Sequence, residues 1–247
     1  MKIKIAKQHF FNNGDLLLEF LKDSEENLVK EDVSKWLNGT YNIEFVTRKN
    51  KTGGINANIL NKQLRAKISV IKGVHQETHV LNNGFSHKAI KGFDFSLYDE
   101  MYNLIQIRNY YIGEHGCIDG EHKLEKAYRD FGVTSKCWKE KISEIKGIVG
   151  EDYSISSKKS LTLVGELQFG NWALGYYDLL RLINATETVP IDYYIYVAAT
   201  GKLEKCLSDG IVTYNKMLEI VKENQRIVKV PMWLIGIDID DETPKII

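Results

Sequence analysis

Residues 150–171 read GEDYSISSKKSLTLVGELQFGN, and this stretch decides the fold. From Leu161 to Phe169, every second residue is apolar or glycine, which is the period of a strand with one face in a protein core. Glu166 and Gln168 fall on the opposite face. The stretch therefore predicts a half-buried strand that carries Glu166 and Gln168 on its more polar face.

The residues before this strand predict a hairpin. Asp152 to Ile155 is expected to form a second short strand, because the polar cluster 156–160 is typical of a turn. A hairpin centred there pairs Asp152 with Glu166 on the same face, with Cβ atoms about 4.5–5.5 Å apart. Two carboxylates that close repel each other unless a proton or a divalent cation lies between them.

A metal ion accounts for such a pair. Mg²⁺ is usually bound by one or two carboxylates, with water and phosphate oxygens completing its shell. The pattern therefore predicts a magnesium site at Asp152 and Glu166, beside Gln168, and phosphodiester chemistry. Alternatively, the two carboxylates are the solvated ends of an edge hairpin and Gln168 is a surface residue. Spacing alone leaves both interpretations open.

Composition indicates a folded globular protein. The chain has 247 residues, 43% hydrophobic and 11% aromatic, which is enough to fill a core. Its 33 basic and 33 acidic residues give a formal charge of zero. The segment from Val46 to Gly92, however, has nine basic residues against one acidic residue, a net charge of +8. This segment is basic enough to follow a phosphate backbone.

The cysteines and apolar runs suggest where the protein works. The three cysteines are widely spaced and have no C-x-x-C pairing, which suits a reducing cytoplasm. No apolar run approaches the roughly 20 residues that a membrane helix needs, and the N-terminus lacks the apolar core of a signal peptide. We therefore expect a cytoplasmic protein without a membrane partner.

The order of elements predicts an α/β fold. After the strand that contains Glu166, we expect a helix over 172–185, a buried strand over 190–199, helices over 203–207 and 214–226, and a last strand over 230–237. Alternating strands and helices imply a central mixed β-sheet flanked by helices. We expect one domain over residues 1–247.

The sequence LVGELQFGN at 163–171 resembles the second catalytic strand of the PD-(D/E)XK restriction endonucleases of the BglII, BstYI and BamHI group. In part of that group glutamine or glutamate replaces the lysine of the motif, as Gln168 does here. The resemblance continues in the same order through 190–194, 202–210 and 231–237, and covers the N-terminal half only in patches. It implies a restriction-endonuclease-like fold, and makes residues 96–148 a helical insertion before the catalytic hairpin.

The resemblance also implies roles for individual residues. Asp152 and Glu166 would hold Mg²⁺, and Gln168 would position the attacking water or its metal shell. Asp94, between two aromatic residues, is a second choice for the first metal carboxylate, because relatives carry an acidic residue after a similar strand. Glu151 is a spare carboxylate.

DNA contacts are expected in two places. The basic loop with Arg48, Lys49 and Lys51 carries charge and glycines that suit phosphates, with a solvated surface turn as the alternative; Lys158 adds charge near the catalytic strand. Asn171 lies where relatives contact bases, and an amide suits an adenine edge. It is equally suited to cap the following helix, and both roles can hold at once.

These observations predict a prokaryotic type II restriction endonuclease that cuts both strands of a short specific DNA sequence with Mg²⁺. Cleavage of a symmetric site calls for two active sites related by a two-fold axis, so a homodimer is expected. The resemblance makes the helix after Asn171 a candidate interface. The alternatives are a monomeric nicking or repair nuclease, and a silent DNA-binding protein in which Gln168 is the relic of a lost lysine.

Overall fold

The computed structural model describes residues 1–20, 30–48, 51–86, 92–130, 140, 145, 147–154 and 158–240. Its strands are β1 (Lys2–Phe11), β2 (Gly39–Thr40), β3 (Val46–Arg48), β4 (Lys51–Gly54), β5 (Val74–Leu81), β6 (Gly84–Ser86), β7 (Phe93–Leu97), β8 (Leu163–Gln168), β9 (Tyr193–Ala199) and β10 (Met232–Ile239). Its helices are α1 (Gly14–Phe20), α2 (Lys30–Leu37), α3 (Ala57–Ile68), α4 (Glu100–Ile112), α5 (Gly120–Asp130), α6 (Ala173–Thr186), α7 (Gly201–Cys206) and α8 (Tyr214–Glu223).

Eight strands form one sheet in the order β2-β1-β10-β9-β8-β7-β5-β6. The pairs β8–β9 and β9–β10 are parallel, whereas the other adjacent pairs are antiparallel. β3 and β4 form a separate two-stranded sheet. The predicted mixed sheet flanked by helices is therefore confirmed.

Helices cover both faces of the sheet. One face packs against apolar residues of α2 and α3, including Trp36 and Leu64, and the other packs against α6 and α8 through residues such as Leu182 and Met217. Every residue of β9 is buried, as expected for a parallel strand covered on both faces. Among the described residues, α4 and α5 build a third, smaller apolar cluster.

The pairing of β7 with β8 positions the polar residues of both strands. Phe95 lies opposite Gly165, and the Phe95 ring occupies the space in which a Cβ of residue 165 would sit. The two strands therefore approach closely on this face. Asp94 precedes Phe95 and Glu166 follows Gly165, so these two acidic residues are next to this pair on the two antiparallel strands.

The predicted hairpin between Asp152 and Glu166 is wrong. β8 is bonded to β7 on one side and to β9 on the other, so it has no edge open to the segment around Asp152. Residues 152–154 form no strand, and residue 155 lies outside the described residues. The alternation predicts a strand here, and β8 is one, but both of its faces are buried where one was expected. Alternation also does not identify which strand lies beside it.

The first helix of the predicted insertion 96–148 begins later than expected. Ser96 lies in β7, where its hydroxyl is 2.6 Å from that of Thr78. α4 begins four residues later, and the Asp99 side chain caps it by accepting hydrogen bonds from the N–H groups of Met101 and Tyr102. Within the described residues, no helix is long and apolar enough to span a membrane.

Candidate active site

Asp94 and Glu166 form a buried pair of carboxylates on adjacent strands. Asp94 is 8% exposed and Glu166 is 3% exposed. Oδ2 of Asp94 accepts a hydrogen bond from the Leu167 N–H at 2.7 Å, which fixes Asp94 against β8 next to Glu166. β7 and β8 thus bring together two acidic side chains that lie far apart in the sequence.

Two arginines reach this pair from different helices. Arg65 of α3 donates to the carboxylates of Asp94 and Glu77. Arg181 of α6 has its Nη1 atom 3.0 Å from Oε1 of Glu166. The helices on the two faces of the sheet therefore each supply one cation to a cluster of acidic groups.

Burial and charge both act on the pKa of the pair. Burial raises the pKa of Glu166 well above its ordinary value, and the nearby Asp94 and Asp178 carboxylates raise it further, while Arg181 and Arg65 oppose the shift. Burial also raises the pKa of Asp94, against the opposing effects of Arg65 and of the Leu167 N–H. A cation at this position would favour the ionised form of both groups.

Gln168 is part of a hydrogen-bonded network behind the pair. Its Nε2 donates to Oδ2 of Asp178 at 2.8 Å, and its Oε1 accepts from the Gly170 N–H at 2.9 Å. Asp178, on α6, also accepts from Arg181 at 2.5 Å and from the Tyr196 hydroxyl at 3.1 Å. Gln168 is therefore connected to Glu166 through Asp178 and Arg181.

Glu151 and Asp152 lie at the end of α4 and not beside Glu166. Oδ1 of Asp152 accepts from the Glu114 N–H at 3.0 Å, and the backbone carbonyl of Glu151 accepts from Arg108. Both acidic side chains are exposed. The assignment of Asp152 as the partner of Glu166 fails because the segment 147–154 packs against α4, while β7 occupies the place beside β8.

The expected DNA-contacting residues that the structure describes lie on different elements. Lys158 forms an ion pair with Asp192, which also accepts from the Thr162 N–H, and so lies near the start of β8. Arg48 pairs with Lys51 in the β3–β4 hairpin, whereas Lys49 lies outside the described residues.

Asn171 follows β8 directly and is exposed. Its Oδ1 accepts from the Ala173 N–H at 2.9 Å, so the side chain caps the start of α6. The sequence left two roles open for Asn171, a helix cap and a DNA contact, and this hydrogen bond is the cap.

Sequence reasoning missed four members of the cluster: Glu77, Arg65, Asp178 and Arg181. A signal for some of them was present. Glu77 is the sole acidic residue in the basic stretch from Val46 to Gly92, and Asp178 and Arg181 are three apart on a helix that follows β8. Glu77 also has a φ of +50°, which is uncommon for a residue with a side chain.

The donor set suits a hard divalent cation. Oε1 of Glu166 is buried and makes no hydrogen bond, since Arg181 approaches it without hydrogen-bond geometry. Two further carboxylates, those of Glu77 and Asp178, join the Asp94–Glu166 pair and the two guanidinium groups of Arg65 and Arg181. These six groups have a net charge of −2 when all are ionised. No group of three or more His, Cys, Asp or Glu side chains arranged for a metal is found in the described part of the chain. Mg²⁺ commonly needs only one or two carboxylates.

The sequence profile of the family described as restriction endonuclease BglII/BglIII matches residues 42–237, which include both carboxylates and Gln168. The chain belongs to this family. Accordingly, the protein is a type II site-specific deoxyribonuclease of the BglII group.

A solved structure supports the fold of this BglII-family member. The structure described as the crystal structure of restriction endonuclease BglII complexed with DNA 16-mer superposes with a TM-score of 0.51 and 14% sequence identity. The match covers 98% of this chain and 81% of that chain. No sequence among the curated proteins matches this chain.

Proposed function

We propose that this enzyme cuts both strands of a short specific DNA sequence, with Asp94 and Glu166 as the ligands of a catalytic Mg²⁺. The observation that carries this proposal is the buried carboxylate pair at the junction of β7 and β8. Restriction endonucleases of this type use a divalent cation. When bound, Mg²⁺ would neutralise charge on the scissile phosphate and lower the pKa of the attacking water.

The protein side chains would bind the metal ion and orient the reacting groups. Asp94 is held by Arg65 and by the Leu167 N–H, so little freedom remains to be lost when it binds a ligand. Gln168 is neutral and accepts no proton near pH 7, so it is not a general base. Arg65 and Arg181 offset part of the negative charge of the carboxylates, which reduces the repulsion of a phosphate.

We further propose that the enzyme works as a homodimer through α6. Large apolar side chains stand on the exposed surface at and around this helix: Trp172, Leu174, Tyr176, Tyr177 and Leu180 are each at least 40% exposed. Contiguous apolar surface of this kind is typical of an interface. A second copy is the occupant that double-strand cleavage requires, because two active sites must act on two strands.

Contacts with DNA are proposed at Asn171, at the β3–β4 hairpin and at Lys158. Asn171 is exposed just after the end of β8 that carries Gln168. Its capping hydrogen bond uses only Oδ1, which leaves its Nδ2 for a contact with DNA. The hairpin supports it by bringing Arg48 opposite Lys51. A cytoplasmic location in a prokaryote is also proposed, since neither of the two cysteines that the structure describes, Cys117 and Cys206, forms a disulfide.

The test is cleavage of unmethylated phage-sized DNA with Mg²⁺ and with EDTA, followed by sequencing of the fragment ends. Discrete fragments that form only with Mg²⁺ are expected, with ends at one sequence. Cleavage in EDTA would contradict the metal assignment. Nicks without double-strand breaks would favour a monomeric nicking enzyme, and binding without any cleavage a silent DNA-binding protein.

A further inference from the structure

The contacts of Gln168 indicate how a neutral amide serves this site. Both ends of the amide are used inside the protein, with Nε2 on Asp178 and Oε1 on the Gly170 N–H. The Gln168 amide carries no charge, so it cannot itself be the cation beside Glu166. Its strongest partner is a carboxylate 10 residues later on α6.

Asp178 is the centre of this network. It is 1% exposed and accepts three hydrogen bonds, from Gln168 and Tyr196 on Oδ2 and from Arg181 on Oδ1. A buried carboxylate with three donors has one well-defined position. Asp178 can therefore hold the guanidinium of Arg181 in a fixed orientation.

Arg181 is held on several sides. Its Nη2 donates to Asp178 and its Nη1 donates to the carbonyl of Gly92. The guanidinium carbon lies 5.6 Å from the centre of the Phe93 ring and 5.1 Å from that of Tyr177. The same Nη1 lies 3.0 Å from Oε1 of Glu166. A well-fixed cation thus stands against the carboxylate of the active site.

We propose that Gln168 acts through Asp178 to fix Arg181 against Glu166, and that Arg181 is the positioning residue that sets this carboxylate for DNA cleavage. The inference rests on the proposed function. A glutamate side chain has three rotatable bonds, and Oε1 of Glu166 has no hydrogen bond that would orient it. Attraction to a cation at 3.0 Å limits those rotations.

The experiment compares five single variants and one double variant of the full-length protein in single-turnover cleavage of DNA with Mg²⁺. Arg181→Gln is expected to slow cleavage about 100-fold, because misplacement of a reacting group by about 1 Å costs that much. Arg181→Lys keeps the charge but cannot make both guanidinium contacts, so its cleavage rate is expected to lie between those of Arg181→Gln and the wild type. Arg226→Gln, an exposed arginine after α8, is the matched control and should cleave at the wild-type rate.

The other two variants test the connection through Asp178. Gln168→Leu and Asp178→Asn are each expected to slow cleavage at least about tenfold. The double variant should be no slower than Asp178→Asn alone, since both changes break one chain of contacts. Additive losses would show that Gln168 acts independently and would overturn the proposal.

A second readout does not depend on cleavage. Calorimetric titration with Mg²⁺ should give at least about threefold tighter binding to Arg181→Gln than to the wild type, because a competing cation beside Glu166 is gone. Arg181→Lys should bind like the wild type. Equal Mg²⁺ affinities for Arg181→Gln and the wild type, or an Arg181→Lys as slow as Arg181→Gln, would overturn the proposal.

The two proposals fail in different ways. A wild-type protein that cleaves no DNA with Mg²⁺ contradicts the proposed function, and the Mg²⁺ titration then decides the role of Arg181. Thermal melting of every variant identifies any that does not fold. Should Arg181→Gln be unfolded, Arg181→Lys and the Gln168–Asp178 pair of variants still test the inference.

Discussion

Oδ2 of Asp94 accepts a hydrogen bond from the backbone N–H of Leu167, 73 residues later in the chain, at 2.7 Å. This bond joins the end of β7 to β8 and holds one carboxylate beside another, that of Glu166. The alternative partner, Asp152, is bonded to the Glu114 N–H at the end of α4. The two aspartates can therefore be separated by mutation.

Asp94→Asn should slow Mg²⁺-dependent cleavage by about 100- to 1,000-fold, because it removes a charged group from the proposed metal site. Asp152→Asn should cleave at close to the wild-type rate. The measurement is single-turnover cleavage of the substrate identified by end sequencing. Circular dichroism and DNA binding with Ca²⁺ serve as controls for folding. Loss of cleavage in Asp152→Asn with full activity in Asp94→Asn would reverse the assignment.

The raised pKa of Glu166 predicts a pH-dependent stability. In the metal-free protein the neutral form is favoured on folding, so the contribution of Glu166 is fully present below its ordinary pKa of 4.5 and is lost as pH rises through its raised pKa in the folded state. The loss reaches about 1.4 kcal/mol per pH unit. Glu166→Gln should therefore melt at a higher temperature than the wild type at pH 8 in EDTA.

The melting difference between Glu166→Gln and the wild type should shrink as pH falls toward the ordinary pKa of a glutamate. Glu219→Gln, at an exposed position on α8, is the control and should show no such trend. A Glu166→Gln protein that is less stable than the wild type at pH 8 would mean that Arg181 outweighs burial.

Gly165→Ala should destabilise the fold, because a Cβ at this position would overlap the Phe95 ring. Overpacking of this kind costs about 1–3 kcal/mol. The measurement is the free energy of unfolding in urea. Phe95→Leu in the same chain should recover part of the loss, giving a favourable coupling of about 0.5 kcal/mol or more between the two changes. Strictly additive effects would show that the two residues do not oppose each other in the core.

Leu180→Glu should convert the proposed homodimer to a monomer, since it places a charge in the apolar surface of α6. Sedimentation velocity measures the change, and supercoiled plasmid should then be cut slowly or only nicked. Ile118→Glu is the matched control, because Ile118 is 90% exposed outside that surface. A wild-type protein that is monomeric both alone and on DNA would contradict the homodimer.

The sequence by itself determined the fold class and pointed to one half of the candidate site. The alternation over Leu161–Phe169 predicted a strand, and the apolar run before Ala199 predicted a buried one, because side-chain period distinguishes a strand from a helix. The burial of β8 on both faces did not follow from its alternation. The resemblance in residues 163–171 led to Glu166 and Gln168, and the family assignment was confirmed.

Only the tertiary structure decided which residues join Glu166. Strand pairing between distant segments leaves no mark on the local period, so the sequence could not distinguish a hairpin with Asp152 from pairing with Asp94 on β7. The same holds for Arg65 and Arg181, which meet the carboxylates from helices on opposite faces of the sheet. The local sequence pattern determines which residues form each helix or strand. Packing of the whole chain determines which helices and strands lie side by side, and the candidate site is built from side chains of several of them.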